Sequence, residues 1–397
     1  MQSFRIFGIA AAALALAGGA CRSSAPTAAG SGETAVAADG GETAFRVETV
    51  VRGVEVPWSI VFTPDGRMLF TERPGRVRVV DRNGRLRPAP LATLPEVRQV
   101  SESGLMGMTL HPQFTKNRLL YLAYAYSGGA FGQSVRVVRF RETGEALVDR
   151  KVLIENIPAA PNHAGTRLRF GPDRKLYVTT GDAVDRNLAQ RLDSLAGKTL
   201  RLNDDGTVPV DNPFVGRSGG AGRQPFPAAR PEIWSYGHRN AQGIDWQPGT
   251  NLQFQTEHGP SGFDGPGGGD EVNVVARGKN YGWPLVSHQR RRAGTEPPLL
   301  VYTPAVAPAS GTFYRGRALP GFRNNFFFGC LRGRCIVRVV LDGERVVRQE
   351  RLLEGRYGRI RDVAEGPDGA LYFSTSNQDG RGSPARDDDR ILRIVPR

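Results

Sequence analysis

Asn162-His163-Ala164-Gly165-Thr166-Arg167-Leu168 sets one imidazole just ahead of a turn-and-strand pattern. A neutral imidazole can take the proton of a hydroxyl near neutral pH. A histidine alone is more often structural, so the setting of His163 must carry any assignment. Arg239-Asn240 stands within Pro231-Glu232-Ile233-Trp234-Ser235-Tyr236-Gly237-His238-Arg239-Asn240-Ala241-Gln242-Gly243. Arginine stays protonated and can stabilise negative charge that develops on an oxygen. Asparagine offers a donor and an acceptor that can orient a bound molecule. Arg359 and Arg361 occupy alternate positions of Gly358-Arg359-Ile360-Arg361-Asp362-Val363. On a strand, alternate residues share a face, so both guanidiniums could grip one polyanion. The plain alternative for each arginine is a structural or solvated salt bridge.

These residues are far apart in sequence, so the fold must gather them. A recurring unit shows how. Thr63-Pro64-Asp65-Gly66 leads into Met68-Leu69-Phe70-Thr71, Gly171-Pro172-Asp173-Arg174 into Leu176-Tyr177-Val178-Thr179, and Gly366-Pro367-Asp368-Gly369 into Leu371-Tyr372-Phe373-Ser374. Weaker copies are His111-Pro112-Gln113-Phe114 before Leu119 and Trp246-Gln247-Pro248-Gly249 before Leu252. Each is a tight turn followed by a short apolar strand. Recurrence at roughly 50–60 residues predicts an all-β, six-bladed β-propeller over residues 45–397. Helical periodicity is nearly absent; one short helix is expected over Leu188 to Leu195. Loops at one end of a propeller converge on its channel, which is where dispersed polar residues can meet.

The 397 residues include 50 Gly and 28 Pro, which suits many turns between short strands. The formal net charge is +14, and only five of the 53 basic residues are lysine. Such a surface attracts anions. The basic residues are dispersed, and no zinc finger, RNA-binding signature or basic helix accompanies them, which argues against nucleic acid as a partner. Residues 1–20 read as a signal peptide, with Arg5, an apolar run from Ile6 to Ala17, and small residues before Cys21. Cys21 is placed like the acylated cysteine of a bacterial lipoprotein, and residues 21–44 then read as a flexible tether. The expected location is periplasmic, with lipid attachment to a membrane. An oxidising compartment would permit a Cys330–Cys335 disulfide across Leu331-Arg332-Gly333-Arg334.

The strings around His163 and Arg239, followed by Glu257-His258-Gly259-Pro260, Asp270-Glu271-Val272-Asn273 and Gly278-Lys279-Asn280-Tyr281-Gly282-Trp283-Pro284, resemble the soluble sugar dehydrogenases that use pyrroloquinoline quinone (PQQ). The resemblance runs from about Pro57 to Pro396. It implies oxidation of an aldose at C1 to a lactone, with His163 as general base and Arg239 at the quinone. Asn240, Arg332, Arg359 and Arg361 are then cofactor-binding residues, with Arg334 as a helper. The Gly259 and Pro260 carbonyls match ligands of an active-site Ca²⁺, and Glu271 with the Tyr281 carbonyl match a second Ca²⁺ site. The electron acceptor is not identified by the sequence.

Three departures accompany the resemblance. Thr166 stands where the family has a second glycine. Glu102 stands where a glutamine is usual, and an acid facing an anionic quinone is unfavourable unless paired or protonated. Ser261 to Gly267 is a Gly-rich insert that sets Gly268-Gly269-Asp270-Glu271 about six residues further from His258-Gly259-Pro260 than the family pattern. The runner-up reading is a non-catalytic propeller that binds a carbohydrate or a protein. A metal-dependent lactonase would need inward carboxylates clustered with His163, and none are visible.

Overall fold

The computed structural model describes residues 44–216 and 229–397. The expected signal peptide, Cys21 and the tether up to residue 43 lie outside the described residues. Six four-stranded antiparallel sheets form a β-propeller. Five blades are contiguous in sequence, and in each the strands pair in chain order. They begin with the innermost strands Pro57–Phe62, Leu105–Leu110, Gly165–Phe170, Ala241–Trp246 and Pro308–Phe313. The sixth blade takes Ile360–Glu365, Leu371–Thr375 and Arg390–Pro396 from the C-terminal end, and its outer strand is Phe45–Arg52. The first strand of the chain therefore fastens the last blade, with Phe45 opposite Pro396 and Arg52 opposite Arg390.

Every innermost strand breaks register in its first residues, at Pro57/Ser59, Leu105/Met108, Gly165/Leu168, Ala241/Gly243, Pro308/Gly311 and Ile360/Asp362. A bulge bends a strand and re-aims the residues beside it. Here it does so six times at the same end of the ring. Three of the approaches also carry a non-glycine residue with left-handed backbone: Val56, His163 and Ala307. The residues at this end are those singled out for chemistry.

The turns recognised in sequence fall where expected. Pro64-Asp65, Pro172-Asp173, Pro248-Gly249 and Pro367-Asp368 each join the first two strands of a blade. The fifth blade differs: its first hairpin spans residues 314–325 and holds a one-turn 3₁₀ helix, Pro320–Phe322. Aromatic residues fill the space between blades four and five, where Phe254, Phe313 and Phe326 meet at centroid distances of 4.9–5.5 Å. Burying each such ring contributes about 1.5–3 kcal/mol.

Two expectations are corrected. Residues 188–195 do not form an α-helix; a 3₁₀ turn covers Arg186–Ala189, begun by the Asp185 side chain on the Asn187 amide. Gly197 then returns the chain to the sheet. Cys330 and Cys335 face each other across neighbouring strands, yet both are buried free thiols. No helix among the described residues is long and apolar enough to cross a membrane.

Candidate active site

His163 lies two residues ahead of an inner strand, with φ of 55°. Its left-handed backbone turns the imidazole inward, and only 4% of the residue is exposed. Nδ1 meets Asp182 Oδ1 at 2.7 Å. Asp182 is itself fixed: Oδ1 also accepts from the Val184 amide at 2.9 Å, and Oδ2 accepts from Trp283 Nε1 at 2.8 Å. An ionised carboxylate only accepts, so Nδ1 carries the proton and Nε2 is left as the basic nitrogen. The neighbour of this pair must be glycine: a Cβ on Gly181 would lie 1.9 Å from the His163 carbonyl oxygen. Thr166 does not crowd the base. Its hydroxyl turns back to the Ala164 carbonyl at 2.6 Å and is buried.

A cavity of roughly 450 Å³ opens beside the imidazole. Arg73, Arg239, Arg332, Arg359, Arg361 and Arg381 line it, against the carboxylates Glu102, Asp270 and Asp379. The lining is thus strongly cationic, and the walls come from the loops of several blades. Arg359 and Arg361 do converge. Asp379 Oδ2 lies 2.8 Å from Arg359 Nε and 4.0 Å from Arg361. Burial lowers the Arg361 guanidinium to about 10, with Asp379 opposing the shift.

Arg239 is only 2% exposed and its whole fork is engaged. Nε donates to Asp264 at 2.7 Å, one terminal nitrogen to the His258 carbonyl at 3.2 Å, and the other to Ser261 Oγ at 3.0 Å. Its guanidinium also stands over the Trp283 ring. Asn240 Oδ1 accepts from the Gly165 amide and from Gln242, which ties the base's loop to the next blade.

Glu102 reaches the rim as expected, and it is paired. It forms an ion pair with Arg381 and accepts from the His163 amide at 3.3 Å. Burial opposes its ionisation, but His258, Arg381 and His163 outweigh that and hold the carboxyl down to about 2.

Gly259 and Pro260 line the cavity. Asp270 shapes their loop, accepting from the amides of Gly259 at 2.8 Å and of Val306 and Ala307 at 2.7 Å. The Pro260 carbonyl accepts from the Gly268 amide at 3.2 Å and retains a second lone pair. Glu271 and Tyr281 are not at the cavity. Glu271 sits directly opposite Glu257 on the neighbouring strand. Glu257 meets His238 Nδ1 at 2.9 Å, and the Tyr281 ring stacks on His238. Burial and the Glu257 carboxylate push the Glu271 carboxyl well above the usual range. Among the described residues, no group of three or more His, Cys, Asp or Glu side chains is arranged to hold a metal. Arg332 lines the cavity; Arg334, on the same turn, is exposed and lies outside the lining.

Sequence reasoning missed Asp182, Trp283, Arg73, Arg381, Asp379 and His258 as parts of the site. Asp182 had a signal: it stands two residues past the strand Leu176–Thr180 that follows the turn at Pro172-Asp173. Arg381 had none, because it meets Glu102 across 279 residues.

Three buried polar atoms at this end lack a partner: Arg361 Nε, His258 Nε2 and Asn240 Nδ2. An unpaired buried donor costs free energy. Two of them, on Arg361 and His258, belong to side chains that line the cationic cavity, which suits a polar, anionic guest.

Fold and site define a six-bladed β-propeller whose cationic cavity adjoins a buried histidine–aspartate pair. The chain belongs to the Glucose / Sorbosone dehydrogenase family, whose profile matches residues 54–392. It is 34% identical over 370 residues to the aldose sugar dehydrogenase YliI of Escherichia coli K12, covering 89% of this chain and 93% of that one. A putative oxidoreductase (glucose dehydrogenase) of Thermus thermophilus superposes with a TM-score of 0.79 at 45% identity, covering 88% of this chain and 100% of that one. The PQQ-bound aldose sugar dehydrogenase of Streptomyces coelicolor superposes with a TM-score of 0.74 at 31% identity, covering 89% and 99%.

Proposed function

We propose that the protein oxidises aldose sugars at C1 to lactones, with PQQ and Ca²⁺. The observation that carries this reading is the His163–Asp182 pair beside a cavity lined by six arginines. Arg332, Arg359 and Arg361 would hold the carboxylates of PQQ, and the orphaned Nε of Arg361 fits such a polar guest. The Gly259 and Pro260 carbonyls would hold one Ca²⁺, and Glu271 with the Tyr281 carbonyl a second. Two apposed carboxylates, Glu257 and Glu271, suit a hard cation. When bound, the quinone supplies an acceptor for the C1 hydride and the first ion a Lewis acid.

The protein's own part is proton transfer and orientation. Nε2 of His163 takes the C1 hydroxyl proton. Asp182 holds the tautomer and stabilises the imidazolium that results. Arg239 keeps a fixed positive charge at the cavity. The electrons then leave to an acceptor of unidentified chemistry. The chain is proposed to be exported and anchored through an acylated Cys21, a reading supported by the small residues before that cysteine.

A second reading, a propeller that binds without catalysis, is favoured by one observation: every nitrogen of Arg239 is already engaged. One experiment separates the two. PQQ and Ca²⁺ are added to the apo-protein, and absorbance and dye-coupled aldose oxidation are followed. The dehydrogenase reading expects a bound-quinone spectrum that bleaches on addition of aldose. A spectrum that never responds to sugar leaves only binding.

A further inference from the structure

The Ser261–Gly267 segment does more than loop out. Asp264 Oδ2 grips Arg239 at 2.7 Å, Ser261 Oγ accepts from the same guanidinium at 3.0 Å, and Arg186 reaches the Asp264 carbonyl at 3.3 Å. Asp264 Oδ1 also closes the loop on itself through the Ser261 amide at 2.9 Å. The residue between these anchors is Phe263. Its ring lies 6.0 Å from the His163 imidazole, tilted by only 27°. Yet Phe263 is 66% exposed. An aromatic ring that is pinned at both sides, laid along the base and open to solvent is poorly explained as core. Its solvent-open ring, standing beside the His163 imidazole, offers an apolar surface against which the C–H face of a pyranose can rest.

We infer that Ser261–Gly267 is a strap over the base and that Phe263 is a specificity-determining residue. It provides the wall on which the sugar ring rests while its C1 hydroxyl meets His163. Asp264 is a positioning residue, which latches the strap to Arg239. Gly262, with φ of 94°, gives the segment its bend. The wall lies beside the reaction centre, so it favours single rings and crowds longer saccharides. This inference rests on the dehydrogenase reading for the identity of the ligand.

The test compares wild type with Phe263→Ala and Phe263→Tyr. The first measurement uses apo-protein: carbethoxylation of His163 by diethyl pyrocarbonate, followed by peptide mass. Phe263→Ala should be modified several-fold faster, Phe263→Tyr at the wild-type rate. A monosaccharide should slow modification of wild type and protect Phe263→Ala far less. The second measurement uses protein loaded with PQQ and Ca²⁺, after PQQ titration has shown equal occupancy. Phe263→Ala should raise KM for a monosaccharide about tenfold with kcat little changed, and Phe263→Tyr should restore it. Discrimination against disaccharides should fall in Phe263→Ala. Unchanged His163 modification together with unchanged KM in an active enzyme overturns the strap and leaves the dehydrogenase reading standing. Wild type that binds PQQ but oxidises no aldose overturns the dehydrogenase reading, and the sugar-facing role of Phe263 falls with it.

Discussion

Asp182 governs what His163 can do. Both of its oxygens are engaged, Oδ1 by His163 and Val184 and Oδ2 by Trp283, which holds it in place. His163→Gln should lower the single-turnover rate of cofactor reduction by about 10²–10⁴ while PQQ still binds. Asp182→Asn offers a donor to Nδ1, reverses the tautomer, and should cost a comparable factor. Glu102 is the second informative residue. Its folded carboxyl, at about 2, lies below the ordinary 4.5. The unfolded chain therefore binds more protons than the native one between these values. The ionised carboxylate stabilises the fold above about pH 4.5, and this contribution is lost as pH falls through about 2. Glu102→Gln should reduce stability by about 1–3 kcal/mol at pH 7, measured by urea unfolding, with the gap narrowing below pH 4.5. The same substitution frees Arg381 and removes an anion from the rim, so PQQ should bind more tightly by titration.

The strand approaches decide which residues meet. His163, Arg239 and Arg359 each stand within two residues of the start of an inner strand, and Glu102 stands three residues ahead of one. Replacing Arg359 and Arg361 together with Ala should weaken PQQ by about 1.5–3 kcal/mol per lost charge-assisted bond. Arg334→Ala should leave the titration unchanged, since its side chain is outside the cavity. The propeller was legible because Pro-Asp and Pro-Gly turns mark four blades and the Pro112-Gln113 turn a fifth. The remaining blade was silent because a long hairpin with its own 3₁₀ turn replaces that signature. His163, Arg239 and the Arg359/Arg361 pair were legible because their local strings are distinctive. The ion pairs that fix Arg239, Arg359 and Glu102 were not, because their partners Asp264, Asp379 and Arg381 reach the site through side chains on loops, without periodicity to betray them. The Cys330–Cys335 expectation had the spacing right and the chemistry wrong: the residues do face each other, as unbridged thiols.

At the scale of the whole molecule, one strand holds the ring shut. Phe45, Val47 and Val51 bury their side chains against the sixth blade. Each contributes about 1.5–3 kcal/mol, besides the ladder with Arg390–Pro396. Deleting Phe45–Arg52 should lower Tm sharply and broaden the transition in calorimetry. The segment ahead of that strand carries the export expectation: mass spectrometry of the mature chain should find an acylated N-terminal Cys21, and an unmodified terminus elsewhere refutes it. The fastening strand also orders events in time. It is among the first parts of the propeller to be synthesised, and its partner, Arg390–Pro396, is among the last. Closing so long a loop costs entropy before its contacts repay it, so this ladder is expected to form late. Glu102 and Arg381, on opposite sides of that seam, are brought together as the ring closes. The rim of the cavity is therefore finished by the final stitch of folding, and a cofactor arriving earlier finds a bowl with a missing side. Loading belongs to the finished ring, wherever in the cell that ring is completed.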